Sequence, residues 1–422
     1  EATFSNASRK MLRGGIDDFW ITYESGGVIF AVHSTDGGRI WSKKMEIGYG
    51  CNPGISTDPN AETPKPGIVW RSQNHNTLYF ARHISGSNWT SPIVLQTSVN
   101  GFGPPSFVIG TDNFGRVVYS EFDGQSDKIY LYKFHIYFPF PGIPALIDEG
   151  IDPSIDFMSP DGINPEIHVA WVKSNGVWYS SKFISGTSWL NKQRIIPFGV
   201  QPCIEVCGAN VYVVCKRHMT ISHRWASYAN GNPTWSGISV PNFSQTATHS
   251  VYPVLTGGWS CAWTEQESDS DIYFSYYDPA LAWVDPINIS NTTESSAHAH
   301  IVHKQTVNQT TIYFIWAEKD NAPYHIEFVN EIFGDRDKGE DYDLPFYIAD
   351  GGEENASPFN LHREGYLQYG PEPYKRIDYD AEYLEYQFAN LNPDREYGAG
   401  VYRYRHNSTN LAISAEVDGF QI

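Results

Sequence analysis

Asn52-Pro53-Gly54-Ile55 is a strand start that the chain repeats. It returns in outline as Pro104-Pro105-Ser106-Phe107, Asp152-Pro153-Ser154-Ile155, Gln201-Pro202-Cys203-Ile204 and Tyr252-Pro253-Val254-Leu255, with the shared prolines 52, 48, 49 and 51 residues apart. A fixed period of this size marks a unit that cannot bury its apolar faces alone and must stack on its neighbours. Behind each start runs a short apolar strand, as in Ile68-Val69-Trp70, Val117-Val118-Tyr119 and Val169-Ala170-Trp171. A strand of alternating character follows, as in Thr77-Leu78-Tyr79-Phe80, the period-two pattern of a sheet with two unlike faces. A turn carrying Trp89, Trp189, Trp235 or Trp283 then leads to an outer strand. Each unit reads as a four-stranded meander.

A first unit through Phe19-Trp20-Ile21 and a last through residues 312–316 extend the series. Seven units of about 48 residues account for roughly 336 positions. Four-stranded sheets repeated around an axis make a β-propeller, which leaves only short, protected edges. The expected fold class is all-β: a seven-bladed β-propeller of four-stranded blades over residues 17–350, followed by a small, incomplete β-sandwich over 351–422. Residues 1–16 are expected to supply the first inner strand or a strand exchanged with another chain.

The composition agrees. Of 422 residues, 15% are aromatic and only 4 are Met, a balance that favours pleated sheets over helical bundles. The net charge of −19 repels phosphate backbones and anionic lipid, so nucleic acid is excluded as a partner. No transmembrane segment is expected, since residues 134–147 are broken by Pro139, Pro141 and Pro144. The start at Glu1, without an initiator Met, fits a matured exported chain or a trimmed one. Candidate glycosylation sequons stand at Asn6, Asn88, Asn242, Asn288, Asn291, Asn308, Asn355 and Asn407. That is twice the roughly four expected by chance and favours an extracellular or cell-surface location.

Ser34-Thr35-Asp36-Gly37-Gly38-Arg39-Ile40-Trp41 matches S-x-D-x-G-x-x-W and resembles the Asp-box (BNR repeat) of sialidase-like propellers. The resemblance implies a structural turn between third and fourth strands, folded by Ser34 and Asp36, with Gly38 in a permissive dihedral and Trp41 packed between sheets. Decayed copies occupy residues 85–89, 185–189 and 230–235. The sialidase chemistry of that family calls for an arginine cluster, a Tyr activated by Glu, and an Asp acid. Its Arg-Ile-Pro motif is missing here: only Arg9 and Arg13 precede Ser34, followed by Lys10 and Gly14. No catalytic role transfers.

Glycosidases on other propellers need paired carboxylates flanking one bond. The positions before the strand-starting prolines read Asn52, Pro104, Asp152, Gln201 and Tyr252, which supply a single acid. Asp58, Asp156 and Glu205 read as turn or rim residues, and Glu24, Glu121, Glu265 and Glu318 as solvated loop carboxylates. His298, His300 and His303 lie on one strand, and alternation puts the first two on one face, where a third ligand would complete a metal site. Asp335, Asp337, Asp341 and Asp343 form a candidate calcium site around Gly339, without the EF-hand's glutamate at the twelfth position. Among five cysteines, Cys203 and Cys215 are the candidate disulfide if a hairpin turns at Gly208-Ala209-Asn210.

Downstream, Leu391, Pro393 and Tyr397 resemble the tyrosine corner of immunoglobulin-like and fibronectin-like sandwiches. Val417-Asp418-Gly419 signals a hairpin whose return strand begins at Phe420, where an open sheet edge would accept a strand such as residues 2–12 of a neighbour. The function expected from these features is a non-catalytic extracellular structural or interaction protein, a repeating subunit of a surface fibre assembled by strand complementation. Its partners would be copies of itself or another surface protein, with no required cofactor. The alternative is a secreted glycan-binding protein or sialidase-like glycoside hydrolase, which needs an aromatic platform and a few hydrogen-bonding groups between blades.

Overall fold

The computed structural model describes residues 8–333 apart from 16, 58–64, 139–141, 159–164, 230–231, 242–249, 267–269, 279–281, 291–294, 306–309 and 320–324. It also describes the strands Leu344–Ile348, Glu416–Val417 and Phe420–Gln421. All regular structure among these residues is β. Seven sheets follow one another along the chain, each built from consecutive antiparallel strands, and together they form the seven blades of a propeller. In blades 2 and 6 the outer strand is split, into Asn88–Trp89 with Ile93–Thr97 and Ala282–Trp283 with Ile287–Asn288.

The first strand of each blade touches the first strands of both neighbours. Met11–Arg13 lies against Cys51–Thr57 of blade 2 and Ser295–Gln305 of blade 7, which closes the ring. Met11–Arg13 also pairs with Phe19–Ile21, so it is the innermost strand of blade 1. Residues 11 and 12 of the expected donor strand are thus built into the chain's own first blade. At the far end, Val417 pairs with Phe420 across a hairpin.

Each apolar core lies between two blades, because a sheet in this arrangement has a neighbour on both faces. Trp70 packs with Trp20, Ile29 and Ile47 of the preceding blade, and Trp171 with Val118 and Ile129. Phe19 meets Tyr313 at 4.4 Å, and Trp41 meets Phe328 edge-on at 5.1 Å, which joins blade 7 to blade 1. The fully buried Trp20, Trp70, Trp171 and Trp263 are interlayer filling, each contributing on the order of 2–3 kcal/mol by area. Hydrogen bonds cross the same seams. Ser56, Ser106 and Ser154 each accept, through Oγ, the backbone N–H of Ile109, Ile155 and Ile204 in the next blade.

The turn after Val28–Ser34 is held by its own side chains. Ser34 Oγ accepts from Gly38 N at 2.9 Å and donates to Asp36 Oδ1 at 2.8 Å, and Asp36 Oδ1 accepts from Ile40 N at 2.9 Å. Gly38 has φ +88°, and a Cβ there would meet the Phe328 ring at 2.3 Å, so the turn and the seam require glycine together.

The expected disulfide is corrected by register. Cys207 pairs with Asn210, so the loop holds only Gly208 and Ala209, and Cys203 falls opposite Val214 instead of Cys215. A one-residue offset sends the two side chains to opposite faces. Cys215 packs between blades 4 and 5, Cys203 toward blade 6, and all five cysteines are free thiols.

Candidate functional site

At the start of five inner strands one non-glycine residue is left-handed: Asn52 (φ 52°), Asp152 (49°), Gln201 (54°), Tyr252 (53°) and His298 (58°). Each lies within a register shift between the first and second strands of its blade. Such a bulge bends the strand and re-aims a side chain, and the strained backbone costs about 1–3 kcal/mol per residue. All five mark the same end of the ring, the end where the inner strands begin. There Tyr252 N donates to Gln201 Oε1 at 3.1 Å, and the Tyr252 and His298 rings lie 4.3 Å apart. Asn52 Oδ1 accepts from Arg71 Nε at 2.8 Å, and Arg71 also donates to the Phe102 carbonyl. Lys10 is fully buried beside them and donates to the Pro53 carbonyl; burial pushes its pKa down to about 7.

Outward from Arg71, the molecule opens into a cleft of about 390 Å³ between blades 2 and 3, within the size range of small-ligand sites. Buried Phe102 and Ser120 lie deepest. Asn74, His75 and Asn76 come from the turn between Pro66–Arg71 and Thr77–Ser85, Asn100 from the connection into blade 3, and Asp127 from the start of Asp127–His135. Phe122 is 43% exposed and presents an aromatic surface to the cleft.

The cleft is held in shape by backbone bonds. Phe102 N donates to His75 O at 2.7 Å, Ser98 N to Asn76 O at 2.9 Å, and Gly103 N to Ser120 O at 2.8 Å. Asn100 Nδ2 donates to Phe122 O at 2.8 Å, which ties the connection to blade 3. A Cβ on Gly103 would lie 2.1 Å from Ser120 Oγ, so a larger residue here would have to turn that hydroxyl aside. Ser72 Oγ donates to Asn74 Oδ1 at 2.6 Å and Thr77 Oγ1 donates to Asn76 Oδ1 at 3.1 Å, which anchors both amides by their oxygens. Among the described residues neither amide nitrogen has a partner. Burial, then the nearby Arg71 charge, lowers the His75 pKa, so its ring is neutral at pH 7. Burial, then the charge of Asp127, raises the Asp152 carboxyl just beyond the cleft. Amide donors, a neutral imidazole, a carboxylate acceptor and an aromatic face suit a ligand rich in hydroxyl groups.

The residues singled out from sequence fall elsewhere. Asp156 is buried in an ion pair with Arg9 at 2.7 Å and accepts from Val206 N, so it is an anchor and no rim residue. Glu205 keeps some exposure, yet it accepts from Gly257 N and Gly258 N and is deep enough for desolvation to raise its pKa to about 7. Glu265 and Glu318 are buried acceptors of the Trp263 and Trp316 indole N–H groups, which corrects their reading as solvated. The bulge at His298 breaks the alternation expected of His298 and His300, and His303 Nδ1 bonds Thr256 Oγ1 at 2.9 Å. Among the described residues no three metal-ligating side chains converge. Asn88 is exposed, whereas Asn288 is half-buried and donates to Asp271 at 2.9 Å. Asp58, the calcium run Asp335, Asp337, Asp341 and Asp343, the corner residues Leu391, Pro393 and Tyr397, and Asn6, Asn242, Asn291, Asn308, Asn355 and Asn407 lie outside the described residues. The cleft itself was missed. Its only signal was the cluster of Asn and Gly at 73–76 and 98–103, which reads simply as two turns.

No family model matches the sequence, and no curated protein matches it. Among solved structures the chain is similar to a polysaccharide lyase, an ulvan lyase, with TM-score 0.53 and 10% identity over 78% of this chain and 92% of the other. It is similar to a protein of Bacteroides uniformis ATCC 8492 provisionally assigned as a 6-phosphogluconolactonase, with TM-score 0.51 and 11% identity over 79% and 97%. A looser likeness, TM-score 0.41 and 13% identity over 66% and 91%, is to the Aleuria aurantia lectin. At such identities the likeness is one of fold.

Proposed function

We propose that this chain is a carbohydrate-binding propeller whose site is the cleft between blades 2 and 3. The observation that carries the reading is the lining: Asn74, Asn76 and Asn100 amides, the Asp127 carboxylate and the exposed Phe122 ring, all around about 390 Å³ of open space. Hydroxyl groups exchange water for amide and carboxylate partners at little cost, and the apolar face of a pyranose covers an aromatic ring. The ulvan lyase acts on a polysaccharide, in keeping with this reading. The exposed sequon at Asn88 is compatible with an extracellular setting. The fibre-subunit expectation has no comparable support, because of the sandwich expected over residues 351–422 only the strands Glu416–Val417 and Phe420–Gln421 are among the described residues.

The test is a glycan array read with the wild type and with Phe122→Ala and Asn100→Ala. Oligosaccharides bound by the wild type should lose about tenfold in affinity in each variant, the equivalent of about 1.4 kcal/mol. Binding that neither substitution weakens would place the site elsewhere, and no binding to any glycan would reject the reading.

A further inference from the structure

We propose that the cleft between blades 2 and 3 takes uncharged sugars and turns away uronic and sulfated ones. The inference rests on the carbohydrate-binding reading and names the substrate class of the same site. It follows from where the cations near the cleft are spent. Arg71, the nearest guanidinium, is 9% exposed and is held by Asn52 Oδ1 and the Phe102 carbonyl, on the far side of the cleft's deepest residue. Lys10 has no exposed surface and is turned to the Pro53 carbonyl. Lys128, adjacent to Asp127, reaches away to Glu149 at 2.7 Å and Asp123 at 3.7 Å. His75 is the remaining basic group in the lining, and burial, then the Arg71 charge, lowers its pKa.

Against this stands one formal charge in the lining, Asp127, with Asp152 close enough to feel it. A carboxylate accepts hydrogen bonds from neighbouring hydroxyls, so a neutral glycan gains from Asp127. A uronate or sulfate ester at the same place meets a like charge at contact distance, while the nearest guanidinium, Arg71, is turned away to Asn52 and the Phe102 carbonyl. The net charge of −19 adds a longer-range repulsion of the same sign.

The experiment is calorimetric titration of the full chain with cellohexaose, xylohexaose and mannohexaose on one side, and hexagalacturonate and a heparin hexasaccharide on the other. At least one neutral probe should bind about 30-fold or more tightly than either acidic probe in low salt. Asp127→Asn should narrow that ratio at least about fivefold by admitting the acidic probes. For the wild type, higher salt should strengthen whatever acidic binding exists, a readout that stands even where the variant fails to fold. Acidic probes that bind as well as neutral ones, or a ratio indifferent to both Asp127→Asn and salt, would overturn the inference and leave the carbohydrate reading intact. Absence of binding by all five probes would overturn both.

Discussion

Lys10 shows how much one residue can be asked to bear. Its ammonium has no exposed surface, and its partner is the Pro53 carbonyl, so desolvation holds the pKa at about 7 against 10.5 for the free side chain. Between pH 7 and 10.5 the unfolded chain keeps a proton at this site that the folded chain has released. Stability from this group therefore rises with pH across that window and is lowest below it. Lys10→Met should raise the melting temperature at pH 7 by a few degrees, and the advantage should shrink toward pH 10.5. A constant difference over that range, followed by circular dichroism, would show that Lys10 is not buried as described. The residue was visible in the sequence only as one half of Arg9-Lys10, because nothing in composition says that a lysine lies between inner strands. The Ser34 turn was legible for the opposite reason: its bonds run among residues two to four apart, so spacing alone conveys them.

At the scale of elements, the strand-starting prolines announced the blades, while the bulges just before them did not show. Alternation is a property of unbroken strands, and one extra residue at His298 cancels it, as a two-residue loop at Gly208-Ala209 cancels the Cys203 to Cys215 pairing. The cleft belongs to the same class of feature. It is made by two turns about twenty-five residues apart in sequence, brought together by the backbone bonds from Phe102 to His75 and from Ser98 to Asn76. Gly103→Ala should test that junction, since the new methyl would displace Ser120. Chemical denaturation should show a loss of about 1–3 kcal/mol, and the bound glycan should be held less tightly. An unchanged midpoint and unchanged affinity would mean that the junction does not shape the site.

For the whole molecule, the seven-blade count and the all-β class were carried by the repeat, because a period near fifty residues leaves few other ways to bury every sheet face. Ring closure was less legible. It depends on Met11–Arg13 lying beside Ser295–Gln305 and on Phe19 meeting Tyr313, contacts nearly three hundred residues apart. The acidic character of the molecule acts at this scale too, as a field that every ligand must cross. The most direct measurement of the central claim is hydrogen–deuterium exchange of the chain with and without a neutral glycan that it binds. Slowed exchange is expected to be confined to the amides of residues 72–77, 98–103 and 120–127. Protection centred on another pair of blades, with these three segments unchanged, would contradict that claim.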